Sequence, residues 1–129
     1  MREFDGFKDI PAWQEAVGLT TLVYEHTADG GWAVDDLLRN EIRLNTMNIA
    51  ITIAKGFGMN DVLEFRKAAT KARSLTFAVE THLCIAVDLE YMTQEDCDKV
   101  TKAVESTRGV IDFLLDGLKR TGGRRNPGL

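Results

Sequence analysis

The chain alternates between segments whose apolar residues recur every three or four positions and short segments rich in glycine, asparagine and aspartate. That spacing is typical of amphipathic α-helices, and the intervening residues are typical of helix ends. The pattern predicts four helices, over about 10–28, 34–56, 60–91 and 94–121. Residues 122–129 are predicted to form a flexible basic tail. No segment shows the two-residue alternation of a β-strand.

The predicted helix ends carry the residues that helix ends require. Pro11 suits a first turn, because the N–H that it lacks has no helical partner there. Asn60 or Asp61 can cap the third helix, and Thr93 to Asp96 resembles a capping box with Asp in place of Glu or Gln. Short connections between long helices favour antiparallel neighbours. We therefore expect residues 1–129 to form one all-α domain, an antiparallel up-down-up-down four-helix bundle.

The second predicted helix carries two apolar stripes, more than 90° apart, although a bundle core buries one stripe per helix. The first stripe consists of Leu37, Leu44, Met47 and Ile51. The third helix has a similar second face at Leu63, Phe77 and Cys84, and Leu22 and Phe113 lie off the core stripes of their helices. Exposed apolar faces usually mark contact surfaces, so we expect a symmetric homo-oligomer, with a wide core within one chain as the alternative. The predicted interface residues are Leu38, Ile42, Ile49, Ile53, Leu63 and Phe77.

The formal charge of −4 argues against a protein whose whole surface is built to hold nucleic acid. The charge is unevenly distributed, however, because cations gather on the third helix and in the tail. This distribution predicts a local site for nucleic acid or an acidic partner, and a solvated helix surface is the alternative. The candidate residues are Arg66, Lys67, Lys71, Arg73, Arg124 and Arg125.

Motifs for catalysis, metals and membranes are missing from the sequence. Neither His26 nor His82 follows a glutamate by three positions, as the di-metal sites of helical bundles require. The two cysteines have no disulfide or metal spacing. The amino terminus lacks the apolar stretch of a signal peptide, and the most apolar segment is too short to span a bilayer. We therefore expect a cytoplasmic protein with no catalytic residue, no metal, no cofactor and no membrane partner.

Several segments resemble the four-helix proteins encoded within 23S rRNA intervening sequences. In that family an opening that reads F-x-x-L-x-V-W-Q-x-A precedes a second helix that reads roughly S-I-P-x-N-I-A-E-G. The corresponding residues here are Phe7-Lys8-Asp9-Ile10, Ala12-Trp13-Gln14, Ala16 and the run from Asn48 to Gly56. Four polar or special positions of the second motif differ, because Asn48, Ala50, Thr52 and Lys55 stand where the family has Ser, Pro, Asn and Glu.

The resemblance covers about Phe7 to Lys119 and implies a bundle that assembles as a homopentamer. It also implies a relationship to the accessory protein of diversity-generating retroelements, which binds nucleic acid and a reverse transcriptase. From the resemblance and the charge we expect other copies of the chain, weakly bound RNA or DNA, and a reverse transcriptase as partners. The resulting hypothesis is a non-enzymatic homo-oligomeric scaffold that binds nucleic acid or a nucleic-acid enzyme. A purely protein-binding or structural oligomer is the alternative.

Overall fold

The computed structural model describes the backbone of residues 4–125 and the side chains of residues 4–118. A 3-10 turn at Phe7–Asp9 precedes five α-helices. They are α1 (Pro11–His26), α2 (Gly31–Val34), α3 (Asp36–Gly58), α4 (Val62–Asp88) and α5 (Gln94–Arg125). The described residues contain no strand, which confirms the predicted all-α class. The helix α5 continues past the predicted end at about 121, and the short α2 precedes the second long helix.

The helices begin where the sequence supplies suitable residues. Pro11 occupies the first turn of α1. The side chain of Asp61 accepts a hydrogen bond of 3.1 Å from the backbone N–H of Glu64 and so caps α4. Thr93 Oγ1 accepts from the N–H of Asp96 at 3.1 Å at the start of α5. These contacts confirm the capping residues expected for the third and fourth long helices.

The four long helices share one core. Helices α1 and α4 do not pack against each other within the described chain, and each contacts both α3 and α5. Burying one large apolar side chain in such a core stabilises the fold by about 1.5–3 kcal/mol. The largest fully buried side chains include Trp32, Phe65, Ile10, Ile42, Ile49, Ile53, Leu83 and Ile111. None of the helices in the described part is both long and apolar enough to cross a lipid bilayer.

The short α2 is held against the residues that follow α4. The ring of Trp32 is buried, and its centroid lies 6.0 Å from that of Tyr91. Gly31 lies so close to the Tyr91 ring that a methyl group at position 31 would collide with it. The glycine therefore allows α2 to pack on Tyr91, and Trp32 anchors the connection between α1 and α3.

Candidate interaction surfaces

An apolar groove of about 660 Å³ lies between α1 and α3. The short side chains of Ala50 and Ala54 leave space between the larger side chains around them. Among the described residues that line it, only Lys55 is charged. The lining residues are Phe7, Trp13, Val17, Thr20, Thr21, Tyr24, Met47, Ala50, Ile51, Ala54 and Lys55. We refer to this surface as the α1–α3 groove.

The aromatic walls of the α1–α3 groove are fixed by contacts within the chain. Trp13 meets Phe7 edge to face, with 5.3 Å between the ring centroids. The hydroxyl of Tyr24 donates to the sulfur of Met47 at 3.7 Å, and the Arg43 guanidinium lies 4.2 Å from the centre of the Tyr24 ring. These contacts order the walls before any partner binds, which lowers the entropic cost of binding.

An exposed apolar ridge runs along the outer side of α3, beside this groove. Leu37, Leu44 and Ile51 are seven residues apart and therefore share one side of the helix. Their exposed fractions are 74%, 49% and 46%. Ile51 belongs to both the ridge and the groove, so the two adjoin, although Glu41 and Asn48 interrupt the ridge. Adjoining exposed apolar surfaces of this kind are typical of a protein contact site.

Four of the six predicted interface residues were assigned wrongly. Leu38, Ile42, Ile49 and Ile53 are buried in the chain's own core, so they leave no surface for a partner. The two stripes of the second predicted helix do face different directions, but the stripe with Leu38 is the inner one. The stripe that faces outward is Leu37, Leu44 and Ile51. The other two predicted residues, Leu63 and Phe77, are exposed and remain candidates.

Two arginine side chains lie over the ring of Phe77 where α4 packs on α5. The guanidinium carbon of Arg108 is 3.7 Å from the centre of the Phe77 ring, and that of Arg73 is 5.3 Å away. A guanidinium over an aromatic face is attracted by the electrons of the ring. The two arginines therefore hold the ring in one orientation while 45% of the residue stays exposed.

Both arginines are also bound by carboxylates. Arg73 Nε donates to Asp112 at 2.6 Å, and Arg108 Nη2 donates to Glu80 at 2.6 Å. These pairs join α4 to α5. Because its charge is already balanced by Asp112, Arg73 is a poor candidate for a phosphate contact. The predicted group of four cations on this helix therefore does not act as a unit.

Lys67 and Lys71 face the other way, toward α3. Together with Lys55 they line a groove of about 300 Å³ between α3 and α4, which we call the lysine groove. One acid also lines it, because Glu64 lies 3.4 Å from the Lys67 ammonium. The predicted residue Arg66 lines an adjoining pocket of about 410 Å³ with Leu63, Lys67 and Thr70, so Lys67 borders both. The side chains of Arg124 and Arg125 lie outside the described residues.

The described side chains place no group of three or more His, Cys, Asp or Glu residues where they could hold a metal ion. Cys84 is exposed and Cys97 is buried. Burial raises the pKa of the Cys97 thiol above its usual value. A thiol that stays protonated is a weak nucleophile and a weak metal ligand.

Three residues of these surfaces were not assigned to a site from the sequence. Lys55 was visible as a departure from the family motif, and Phe113 as an aromatic residue off its helix's core stripe. Arg108 gave no signal of its own, because its role depends on which side of α5 packs against α4.

A model of the family described as 23S rRNA-intervening sequence protein matches residues 8–112. No curated protein matches the chain.

Proposed function

This chain belongs to the family of 23S rRNA-intervening sequence proteins, and on that premise we propose that it is a non-enzymatic helical scaffold built from several copies of itself. The observation that carries the proposal is the exposed apolar surface formed by the α1–α3 groove and the adjoining side chains of Leu37, Leu44 and Ile51. Covering such a surface with a second copy removes apolar area from water, which is the main driving force of stable association.

We infer that the four long helices run up-down-up-down, and two sets of contacts support this. Arg73 pairs with Asp112, whereas Glu80, later on α4, pairs with Arg108, earlier on α5. The reversed order is what antiparallel helices produce. Between α1 and α3 the order is reversed in the same way, because Tyr24 contacts Met47 while Thr27 contacts Arg43.

A closed ring is the assembly that the distribution of exposed residues favours. The apolar surface of α1 and α3 lies on one side of the chain, and exposed Leu63, Phe77 and Phe113 lie on α4 and α5. A chain with two different contact surfaces associates head to tail, and such contacts close into rings when the rotation permits. Five copies are the number that the family resemblance implies, and we adopt a homopentamer as the proposed state.

Nucleic acid is the second candidate partner, and the lysine groove favours it. Lys55, Lys67 and Lys71 come from two helices and share one groove. The overall charge opposes long-range attraction, because five copies at −4 each would carry −20. Binding to RNA or DNA would therefore be local, weak and independent of sequence.

A reverse transcriptase or another protein is the remaining proposed partner, with a purely structural oligomer as the alternative. The preformed aromatic walls of the α1–α3 groove suit a protein partner better than a phosphate backbone, because the lining is almost wholly apolar. We propose the cytoplasm as the compartment, since both cysteines are free thiols.

The experiment that tests the scaffold is a mass measurement by light scattering or sedimentation equilibrium at micromolar concentration. One chain has a mass of 14.4 kDa. A measured mass five times that of one chain supports the pentamer, and another closed multiple supports the scaffold with a corrected number of copies. A species with the mass of a single chain across the whole concentration range contradicts self-assembly.

A further inference from the structure

Phe113 is the most exposed aromatic side chain in the described part of the protein, at 78%. Its neighbours Ile111 and Leu114 are buried in the core, and Phe113 lies on the opposite side of α5. A phenyl ring in water gains nothing from the fold of its own chain. Its position is explained if another molecule covers it.

Gly109 and Gly117 lie one turn before and one turn after Phe113, on the same side of α5. Apart from its sequence neighbours and the backbone of its own helix, a methyl group at either position would have no described atom within 4 Å. Packing within the chain therefore does not require these glycines, although glycine weakens the interior of a helix. Next to an exposed ring, they leave room for the backbone of another helix to approach closely.

The α1–α3 groove is a suitable counterpart for this ring. It is apolar, it is lined by the aromatic side chains of Trp13 and Tyr24, and it is continuous with exposed Ile51. Within the described chain α3 and α5 do not pack against each other, so they lie at opposite corners of the core. The groove is lined by α1 as well as α3, and α1 packs on α5, but Phe113 is not among the described residues that line the groove of its own chain.

The charges around the two surfaces are complementary. Asp116 lies one turn after Phe113 on α5, whereas the neighbouring Asp112 is already paired with Arg73. Lys55 lines one end of the groove, and Arg43 lies over the Tyr24 ring that lines it. An acidic side chain that meets basic side chains favours one orientation of docking.

We propose that Phe113 of each copy inserts into the α1–α3 groove of the next copy, a contact that rests on the self-assembly proposed above. The ring of one chain fills the space above Ala50 and Ala54, and Asp116 approaches Lys55 of the neighbouring copy. Gly109 and Gly117 allow α5 to lie close against the groove. Each chain then supplies one projecting Phe113 side chain and one groove, which is the arrangement that a head-to-tail assembly needs.

The first test compares Phe113→Ser with Val34→Ser by light scattering. Val34 is also highly exposed, but it does not line the groove. Phe113→Ser is expected to reduce the assembly to the 14.4 kDa single chain, whereas Val34→Ser keeps the mass of the unchanged protein. Helical circular dichroism should be the same for both variants, because neither side chain belongs to the core.

The second test mixes Phe113→Ser with Ile51→Glu, a variant in which a charge blocks the groove. Each variant alone is expected to be a single chain. In the mixture, Ile51→Glu supplies an intact Phe113 side chain and Phe113→Ser supplies an intact groove. The mixture should therefore form a pair with twice the mass of one chain and grow no further. Val17→Glu serves as a second groove variant if Ile51→Glu loses helical signal.

The outcomes separate this contact from the wider proposal. If the unchanged protein assembles and Phe113→Ser assembles equally well, the contact is wrong and the scaffold stands. If the mixture of the two variants keeps the mass of a single chain, the head-to-tail pairing is likewise wrong. If the unchanged protein is itself a single chain, both proposals are wrong.

Discussion

The hydroxyl of Tyr91 donates a hydrogen bond of 2.8 Å to Oδ2 of Asp35, 56 positions earlier in the chain. The other carboxylate oxygen of Asp35 accepts from the backbone N–H of Leu38 at 3.0 Å and caps α3. One carboxylate thus ties the start of α3 to the connection between α4 and α5. The hydrogen bonds from Leu38 and Tyr91 lower the pKa of Asp35, and the bond to Asp35 raises the pKa of Tyr91.

This pair predicts a stability that declines at both ends of the pH scale. The contribution of Asp35 is complete above its ordinary pKa of 3.8 and is lost as pH falls through the lowered value. The contribution of Tyr91 is complete below its ordinary pKa of 10.0 and is lost as pH rises through the raised value. Tyr91→Phe should therefore unfold at lower urea concentration at neutral pH and respond less to pH in the alkaline range. Equal pH profiles for the two proteins would contradict this coupling.

The inner and outer stripes of α3 predict opposite results for two neighbouring substitutions. Ile42→Ala removes a fully buried side chain and should cost about 2–5 kcal/mol in the free energy of unfolding, measured with urea. Leu44→Ala, on the exposed ridge, should cost less than about 1 kcal/mol when measured on the dissociated chain. Leu44→Glu should instead lower the mass of the assembly while leaving the helical signal unchanged. Loss of fold in Leu44→Glu would show that the ridge is structural.

The arrangement around Phe77 predicts that Arg108 matters more to stability than Arg73. The side chain of Arg108 is 14% exposed and that of Arg73 is 40% exposed. Arg108→Ala leaves Glu80 without its ion-pair partner and removes the nearer of the two guanidinium groups from the Phe77 ring, and it should cost about 1–3 kcal/mol in urea unfolding. Arg108→Lys should recover only part of the lost free energy of unfolding. A lysine ammonium lacks the planar guanidinium that stacks on the Phe77 ring and donates hydrogen bonds to Glu80 at the same time. A cost for Arg73→Ala as large as that for Arg108→Ala would argue against this ranking.

The lysine groove predicts weak nucleic-acid binding that depends strongly on salt. Fluorescence anisotropy with RNA and DNA oligonucleotides should detect binding at low salt and little at physiological salt, with a log–log slope near about −0.9 per phosphate contact on duplex DNA. Lys67→Glu with Lys71→Glu should weaken binding, and so should Lys55→Glu. Arg73→Gln combined with Asp112→Asn is the matched control and should leave binding unchanged, because it removes an ion pair outside the lysine groove without changing the net charge.

Removal of the residues after Arg120 should weaken binding as well, since it deletes Arg124 and Arg125. No binding at low salt favours the protein-only scaffold. Tight binding that survives physiological salt would contradict the inference, drawn from the negative net charge, that this protein binds nucleic acid only weakly.

The helices and their starting residues could be predicted because the signals are local. A proline in a first turn or a capping Asp61 acts through its own neighbours, so it can be recognised without knowing the fold. The choice between the two stripes of α3 was wrong because both have helical spacing. A further signal was present, since Glu41, Asn48 and Lys55 interrupt the stripe of Leu37, Leu44 and Ile51. Burying those polar side chains would be costly, which assigns that stripe to the surface.

The contacts between helices could not be predicted in the same way. Whether Arg73 is available to a phosphate depends on Asp112, which is 39 positions away and on another helix. The stacking of Arg108 on Phe77 likewise depends on the rotation of α5 against α4. Helical periodicity fixes the angle of each residue about its own axis and leaves these relative rotations open.

The fluorescence of the two tryptophans can report on whether the α1–α3 groove is covered. Trp32 is shielded from water within the chain, whereas Trp13 is half-buried at the wall of the α1–α3 groove. Indole emission shifts to shorter wavelength when water leaves its surroundings, so Trp32 should emit at a constant wavelength while Trp13 responds to whatever fills the groove. With Trp32→Phe as background, dilution alone would reveal the opening of the groove without any attached dye.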